Sequence, residues 1–335
     1  MYSLCTARNT LSRCMSSLVP GHVLQGTRWN YRILNPVKGD NTHISTVFKA
    51  EVIARENVPN SFRAPQWAFI KTASPTDLTA MKNMDREIHT YRLPDVPSAE
   101  CFRKLYDVID DNTIALEWMD TTLAEVKYQP DLRTYALIAT ILRAALTSCV
   151  VLEGHGYVNT DYKPANILLS GIETGRVTAK VGDLGLVVPT GTLFNAQPYA
   201  MRAPEVYLGQ ACTAPSQIWA VAAMLLCWVK PGILGAWDSP HFIINEAWSM
   251  AKIKRLFPHW RIPASEDVNG HTLKAVVDAA TYLAKEAEVE VLGELKGVLG
   301  VMLVPEMGER PSAASVLASR EFGALGRVAG VLMDC

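Results

Sequence analysis

Residues 158–169 read Val-Asn-Thr-Asp-Tyr-Lys-Pro-Ala-Asn-Ile-Leu-Leu, and no other stretch of the chain carries as much chemical information. An acid, a lysine and an asparagine stand at close spacing between two apolar runs. This spacing predicts a tight loop that brings Asp161, Lys163 and Asn166 into one cleft, with Ile167–Leu169 continuing as a strand. Asp can accept a proton from a hydroxyl group, Asn can ligate Mg²⁺ through its amide oxygen, and Lys can neutralise a phosphoryl group during transfer. The stretch therefore indicates phosphoryl-transfer chemistry.

The loop resembles the catalytic loop of eukaryotic protein kinases, H-R-D-x-K-x-x-N, with Asn159 and Thr160 in the first two positions. Other motifs of that family are matched, in its order, by the lysine strand Ala68–Lys71, the hinge Ala115–Met119, the metal-binding segment Val181–Leu186, the A-P-E segment Arg202–Val206 and the later Glu309–Ser312. Each segment alone is ordinarily a turn, an edge strand or a helix start. Together they cover about residues 30–323, and the resemblance implies a bilobal, kinase-like α+β fold.

The hydrophobic pattern predicts strands in the first third and long helices afterwards. Predicted strands are Trp29–Leu34, Thr46–Ile53, Trp67–Thr72, Lys104–Asp110 and Thr113–Trp118, with one helix at Thr76–Tyr91. Predicted later helices are Leu132–His155, Gln217–Val229, Glu246–Leu256, Leu273–Ala284 and Glu290–Leu303. We therefore expect a leader at 1–29, a small β-rich lobe at 30–120, a helical lobe at 121–323 and a tail at 324–335.

The resemblance implies transfer of the γ-phosphate of Mg-ATP to a protein hydroxyl, on Ser or Thr more readily than on Tyr. Lys71, held by Glu87, would position the α- and β-phosphates. Asp183 and Asn166 would hold Mg²⁺, Asp161 would orient and deprotonate the acceptor, and Lys163 would steady the γ-phosphate. Gly185 would allow the sharp turn that aims the Asp183 carboxylate. Glu205 would pair with Arg310. The implied nucleotide contacts are Val47, Leu116 as gatekeeper, backbone groups near Glu117–Met119, and Leu168.

The nucleotide-binding part departs from the family pattern. With Val47 as the valine on adenine, the glycine positions fall at Asp40, Thr42 and Ser45, and only Gly39 lies nearby. Glycines let backbone N–H groups close over phosphates, so a stiffer lid is expected here. Phe69 replaces a small Ala that touches adenine, and its ring either fills part of the pocket or turns toward the core.

The large lobe also departs at several positions. Thr160 replaces the arginine that grips a phosphorylated activation loop, so activation by loop phosphorylation is not expected. Gln217 replaces an Asp that accepts hydrogen bonds from the catalytic loop, although an amide oxygen can still accept. Pro198 lies near the threonine typical of Ser/Thr kinases. Ala165 replaces the acid of basophilic kinases, so no strong demand for arginine in the substrate is expected.

These departures leave two rival interpretations. A pseudokinase that acts as a scaffold or a nucleotide-binding switch fits the altered lid, Phe69, Thr160 and Gln217. A small-molecule phosphotransferase shares an acid-then-Asn loop and a later metal-binding Asp. The Ala203–Glu205 motif and Arg310 count against that second rival, and fold alone separates none of these functions.

Composition limits the partners. A formal net charge of −1 gives no global attraction to nucleic acid or an anionic membrane, so we expect neither as a partner. The apolar run Ile218–Val229 is too short to span a bilayer. Seven cysteines without a C-x-x-C pair favour an intracellular compartment, cytoplasmic or nuclear, although the Arg-containing start without acids is also compatible with a mitochondrial leader. The aromatic-rich stretch 231–270 is a possible docking surface for a partner.

Overall fold

A six-stranded antiparallel sheet forms the amino-terminal lobe, in the order β1-β2-β3-β4-β6-β5. The computed structural model describes residues 18–37, 45–55, 64–193, 197–285 and 296–330. The strands are β1 (Val23–Gln25), β2 (Trp29–Pro36), β3 (Ser45–Ala54), β4 (Trp67–Ala73), β5 (Leu105–Asp110) and β6 (Thr113–Glu117). The five predicted strands are confirmed, with ends that shift by one or two residues.

Alternation along β2 explains how this sheet builds a core. Tyr31 and Ile33 are fully buried, whereas Arg32 between them is exposed. Successive side chains of a strand point to opposite faces, so the two apolar residues share one face. They pack with Phe48 of β3 and Ile70 of β4 into a separate core of this lobe.

The sheet begins earlier than the sequence predicted, because β1 lies inside the expected leader 1–29 and pairs with β2. Asp107 on β5 accepts a hydrogen bond of 3.0 Å from the backbone N–H of Thr27, and its carboxylate also accepts the hydroxyl of Tyr31. Since β1–β2 and β5 lie at opposite ends of the strand order, these bonds require a curled sheet. The earlier residues of the expected leader, 1–17, lie outside the described residues.

One helix, α1 (Leu78–Tyr91), packs beside the sheet. It begins two residues later than predicted, because the Asp77 side chain caps it by accepting from Thr79 N and Ala80 N at 2.9 and 3.0 Å. The buried face of α1 includes Met84, Glu87 and Ile88. A carboxylate therefore lies on an otherwise apolar face that points into the protein.

The carboxy-terminal lobe is mainly helical, and its helices surround a large core. They are α2 (Leu132–Gly154), α3 (Pro204–Tyr207), α4 (Ala214–Val229), α5 (Asn245–Leu256), α6 (His271–Leu283), α7 (Lys296–Met302), α8 (Ala313–Leu317) and α9 (Arg320–Gly330). Short strands are β7 (Thr121–Thr122), β8 (Tyr157–Asn159), β9 (Ile167–Ser170), β10 (Thr178–Val181) and β11 (Val187–Pro189). The protein therefore has the bilobal α+β fold expected.

The helix boundaries differ from prediction where local chemistry overrides the apolar pattern. α4 begins at Ala214 rather than Gln217, because Thr213 and Ser216 form a capping box and Pro215 fits the first turn. α9 continues past the tail boundary expected at residue 323 and packs against α2. The predicted helix Glu290–Leu303 is described only as α7, since residues 286–295 lie outside the described residues.

α2 is long and apolar enough to cross a membrane by length and composition. Most of the stretch Arg133–Gly154 is buried inside the protein, where α2 contacts α4, α8 and α9. In this structure α2 is therefore a central packing helix of the large lobe.

The stretch 231–270 contains both packed and exposed aromatic residues. Trp260 is 6% exposed and packs into the core of the large lobe. Trp237, Phe242 and Ile243 are each more than 70% exposed. The His241 ring stacks on Phe242 with 4.7 Å between ring centres, yet all three side chains stay largely exposed. The docking role expected for this stretch stays a prediction.

Candidate active site

Lys71 on β4 lies at the centre of the cleft between the lobes. Its Nζ is 2.7 Å from Glu87 Oε2 and 2.8 Å from Asp183 Oδ1. Burial alone lowers the pKa of Lys71, but the carboxylates of Asp183 and Glu87 outweigh it, so the net shift is upward. The ammonium therefore stays charged, and it joins a strand, a helix and a loop from both lobes.

Glu87 projects from the buried face of α1 and is fully buried. One carboxylate oxygen accepts from Lys71, whereas Oε1 has no hydrogen bond to any of the described residues. Burial raises the pKa of Glu87, and Lys71 acts in the opposite direction. A carboxylate this deep is tolerated only with its cation in place, so the Lys71 contact fixes the position of α1.

Asp183 follows β10 in a left-handed conformation, with φ 53° and ψ 75°. The sequence suggested that Gly185 supplies the flexible turn, and this is corrected: the positive φ belongs to Asp183 itself. Gly182 leaves room for Leu168, since a Cβ at residue 182 would lie 2.6 Å from Leu168 Cδ1 and displace that side chain. Gly185 lies close to α1, where its carbonyl accepts a hydrogen bond of 2.9 Å from Arg86 Nε.

The antiparallel hairpin of β9 and β10 brings the loop of Asp161 to Asp183. Ile167 pairs with Val181, so the residue before β9 and the residue after β10 meet, and Gly182 N donates to Asn166 O at 2.9 Å. Asn166 Nδ2 donates to both the carbonyl oxygen and Oδ2 of Asp161 at 2.8 Å. Lys163 Nζ lies 3.3 Å from Asp161 Oδ2. The three side chains of the quoted loop are therefore brought together.

Asp161 is 7% exposed. Burial raises its pKa to about 6, with Asp183 acting in the same direction and Lys163 and Asn166 opposing the shift. A carboxylate with a pKa near neutrality is a suitable acceptor for a hydroxyl proton.

Neutral residues hold this loop, at positions where the kinase pattern described in the sequence has charged ones. Gln217 Oε1 accepts from Asn159 N at 2.8 Å, and Asn159 Oδ1 accepts from Asp161 N at 2.9 Å. Thr160 donates through its hydroxyl to Leu186 O at 2.8 Å. The substitutions noted in the sequence thus preserve a connected set of hydrogen bonds from α4 to Asp161 and to the segment after Asp183.

Arg310 forms a buried, two-bond ion pair with Glu205 of α3. Its Nη1 and Nη2 atoms each lie 2.7 Å from a different carboxylate oxygen. The remaining donors bind the carbonyl oxygens of Val304, Pro305 and Pro215. All five guanidinium N–H groups therefore have acceptors, which fixes the end of the 185–205 segment against the lobe.

A cleft with a volume of about 430 Å³ lies above Lys71 and Asp183. This volume is in the range of small-molecule sites. Its walls include the predicted contacts Val47, Leu116, Met119 and Leu168. Ser45 begins β3, whereas Gly39, Asp40 and Thr42 of the expected lid lie outside the described residues.

Glu117 departs from its expected position among the cleft contacts. Its backbone N–H donates to Lys104 O at 2.8 Å, and its carboxylate accepts from Lys180 Nζ at 2.8 Å. Its carbonyl oxygen accepts from Arg103 Nε at 2.6 Å. The side chain thus points away from the cleft because a buried lysine holds it, and both backbone groups already have partners.

Arg103 was not identified from the sequence, yet it lines the cleft beside Phe69. Phe69 contributes to the cleft wall and also packs against the core, so both alternatives left open by the sequence hold in part, and the Arg103 guanidinium lies 3.8 Å from the ring centre. No motif marks Arg103. The available signal was the large ring at residue 69, a position that is small in the family pattern.

No protein-family model matches the chain. Stress-activated protein kinase JNK of Drosophila melanogaster is 32% identical over 128 residues, which cover 37% of this chain and 33% of that protein. A probable dual specificity protein kinase YAK1 homolog of Encephalitozoon cuniculi is 35% identical over 89 residues, 26% of this chain and 22% of that protein. Serine/threonine-protein kinase MAK of Mus musculus is 27% identical over 176 residues, 46% of this chain and 27% of that protein.

The chain therefore spans a third or less of the length of these curated relatives. The names of these relatives are all those of protein kinases. The fold, the motifs and the relatives point the same way: over the matched residues the chain is similar to eukaryotic protein kinases.

Proposed function

We propose that this protein transfers the γ-phosphate of Mg-bound ATP to a hydroxyl group of a protein substrate, on Ser or Thr more readily than on Tyr. The proposal depends on one observation above all: Lys71 Nζ contacts the carboxylates of Glu87 and Asp183 at 2.7 and 2.8 Å. This closed arrangement requires no lobe movement to assemble the phosphate-binding end. The name of one relative, a serine/threonine-protein kinase, supports the hydroxyl preference.

The oxygen donors of the cleft fit a magnesium ion. Asn166 uses its amide nitrogen for Asp161, which leaves Oδ1 as an acceptor, and Asp183 adds a carboxylate beside it in the cleft wall. Mg²⁺ prefers one or two protein oxygens together with substrate phosphates. Asn166 and Asp183 would hold the ion, which when bound neutralises charge on the phosphates.

The remaining polar groups take roles set by their charge. Lys71 would bind the α- and β-phosphates, because its ammonium is buried, charged and held from two sides. Asp161 would accept the proton of the incoming hydroxyl. Lys163, 3.3 Å from Asp161, would compensate negative charge on the transferred group. Catalysis of this kind depends on positioning and charge neutralisation, since phosphoryl transfer has a loose transition state.

A radiolabel transfer assay tests the proposal. The purified chain is incubated with Mg²⁺, γ-labelled ATP and casein, and label on casein or on the chain itself is measured. We expect Asp161→Asn to lower the rate by several orders of magnitude while ATP still raises the melting temperature. Asp278→Asn, at an exposed position on α6, is the matched control and should match the parent.

A nucleotide-binding switch with little or no transfer is the second candidate. Phe69 and Arg103 at the cleft wall motivate it, because they change the surface on which a base would bind while the phosphate end of the cleft keeps its lysine and carboxylates. A nucleotide-dependent rise in melting temperature without any label transfer would identify this function. Equal label transfer by the parent and Asp161→Asn would reject the role proposed for Asp161.

A further inference from the structure

The guanidinium of Arg103 is a buried charge at the hinge side of the cleft. The residue is 6% exposed, and its guanidinium carbon lies 3.8 Å from the centre of the Phe69 ring. Its Nε donates to Glu117 O at 2.6 Å. Neither terminal nitrogen donates a hydrogen bond to any of the described residues. Arg103 therefore has free donors in a wall of the cleft.

The neighbouring carboxylates are already committed to other cations. Glu117 pairs with Lys180 at 2.8 Å, and Glu87 pairs with Lys71 at 2.7 Å. No ion pair joins Arg103 to a carboxylate in the described part of the chain. A buried charge is costly without acceptors, so a bound molecule that supplies them gains affinity.

Arg103 determines which hydrogen-bond donors and acceptors the hinge side of the cleft presents to a purine. The Glu117 carbonyl, an acceptor within the predicted hinge, is already bonded to Arg103 Nε. The terminal nitrogens of an arginine are donors only. Guanine presents two acceptors, O6 and N7, on one edge, and arginine binds that pair with two parallel hydrogen bonds. Adenine carries the N6 amino group in place of O6, and this donor would face the donor groups of Arg103.

We propose that Arg103 makes the cleft select a 6-oxopurine nucleotide, of the GTP class, over ATP. The inference rests on the proposed transfer chemistry at the phosphate end of the cleft, and it replaces ATP by a 6-oxopurine nucleotide as the preferred phosphate donor. The base would lie beside Phe69, with its O6–N7 edge toward the Arg103 terminal nitrogens. Met119, whose backbone groups bind no other described residue, would remain available to the opposite edge of the base.

The first experiment uses the unmodified chain. Dissociation constants of the Mg²⁺ complexes of ATP, GTP, ITP and 7-deaza-GTP are measured by calorimetry. GTP and ITP, which share O6 and N7, should bind about 5- to 150-fold more tightly than ATP. 7-deaza-GTP, which lacks the N7 acceptor, should lose much of that advantage.

The second experiment uses Arg103→Met, which removes the donors and retains an apolar contact with Phe69. The GTP-to-ATP affinity ratio should fall to about one or below, and Arg103→Lys should give an intermediate ratio because lysine cannot make the forked contact. Arg143→Met is the matched control, since Arg143 also lies over a phenylalanine ring, Phe322 at 5.4 Å, but outside the cleft wall. The control should keep the parent ratio.

Tighter binding of ATP than of GTP by the parent would overturn the inference and leave the proposed function intact. An unchanged ratio in a folded Arg103→Met variant would also overturn it. If that variant does not fold, the four-nucleotide comparison on the parent remains decisive. Selective GTP binding without phosphate transfer would support the inference and reject the proposed function, whereas absence of binding by every nucleotide would reject both.

Discussion

The side-chain oxygen of Gln217 accepts a hydrogen bond of 2.8 Å from the backbone N–H of Asn159, and both residues are about 1% exposed. This bond links the central helix α4 to the loop that carries Asp161. The other side of the Gln217 amide, Nε2, has no hydrogen bond among the described residues. The acceptor atom alone therefore accounts for the polar role of this residue.

We expect Gln217→Met to destabilise the protein by about 1–3 kcal/mol, because it leaves the buried N–H of Asn159 without an acceptor. It should also lower the transfer rate by displacing Asp161. Urea unfolding and the radiolabel assay measure the two effects. Gln210→Met, at an exposed position, is the control. Full stability and full activity in Gln217→Met would contradict the role of this bond.

The pH dependence of transfer should reflect Asp161. Its pKa is raised by burial to about 6, so the carboxylate is ionised at pH 7.5 and protonated at pH 5. A protonated acid cannot accept the hydroxyl proton, so the rate at saturating nucleotide should fall as pH decreases through about 6. A pH–rate profile between pH 5 and 8 measures this. A flat profile over that range would exclude Asp161 as the proton acceptor.

The same group makes a prediction about stability. The pKa of Asp161 is higher in the folded protein than its usual value of 3.8, so protonation stabilises the fold, and this contribution is lost as pH rises through about 6. The Asp161→Asn variant has no ionisable side chain at residue 161. The free energy of unfolding of the variant minus that of the parent should therefore be about 3 kcal/mol larger at pH 7.5 than at pH 3.5. Urea unfolding of both proteins across that range provides the test, and a constant difference would refute the shift.

The Glu205–Arg310 pair should be a large contributor to the stability of the large lobe. Arg310→Met leaves the Glu205 carboxylate buried without its cation, which costs about 3–5 kcal/mol. Arg310→Lys retains the charge and loses one of the two parallel bonds, so its cost should be smaller. Arg261→Met, at an exposed position, is the control. Equal melting temperatures for Arg310→Met and the parent would be inconsistent with the buried pair.

Gly182 and Leu168 should be energetically coupled. A methyl group at residue 182 would lie 2.6 Å from Leu168 Cδ1, so Gly182→Ala should cost about 1–3 kcal/mol through crowding. Leu168→Ala removes the clashing atoms, and the double variant should be more stable than the sum of the two single effects predicts. A double-mutant cycle by urea unfolding measures the coupling. Strict additivity of the two free-energy changes would show that crowding against Leu168 does not cause the cost of Gly182→Ala.

Local patterns were sufficient to predict five strands of the small lobe and the loop that carries Asp161. Alternation around Tyr31 and Ile33 marked a strand, and the spacing from Asp161 to Asn166 marked the loop. These features depend on residues close in sequence. The contact of Lys71 with Asp183 was inferred through a family resemblance, because 112 positions separate the two residues.

The base end of the cleft could not be predicted in the same way. Arg103 reaches Glu117 only because the chain before β5 runs beside β10, where Arg103 N donates to Val181 O at 3.0 Å. The left-handed backbone of Asp183 is also invisible in a sequence, since nearby glycines offered an easier explanation of the turn. Both features arise from tertiary packing.

The bond from Arg103 to the Glu117 carbonyl also bears on the design of inhibitors for this cleft. A compound built around an aminopyrimidine would present a donor where the protein already supplies one, so it should bind poorly. A lactam or pyridone, whose ring carbonyl can receive the terminal Arg103 nitrogens, should bind well. Such compounds would discriminate this protein from kinases whose hinge carbonyl is unoccupied.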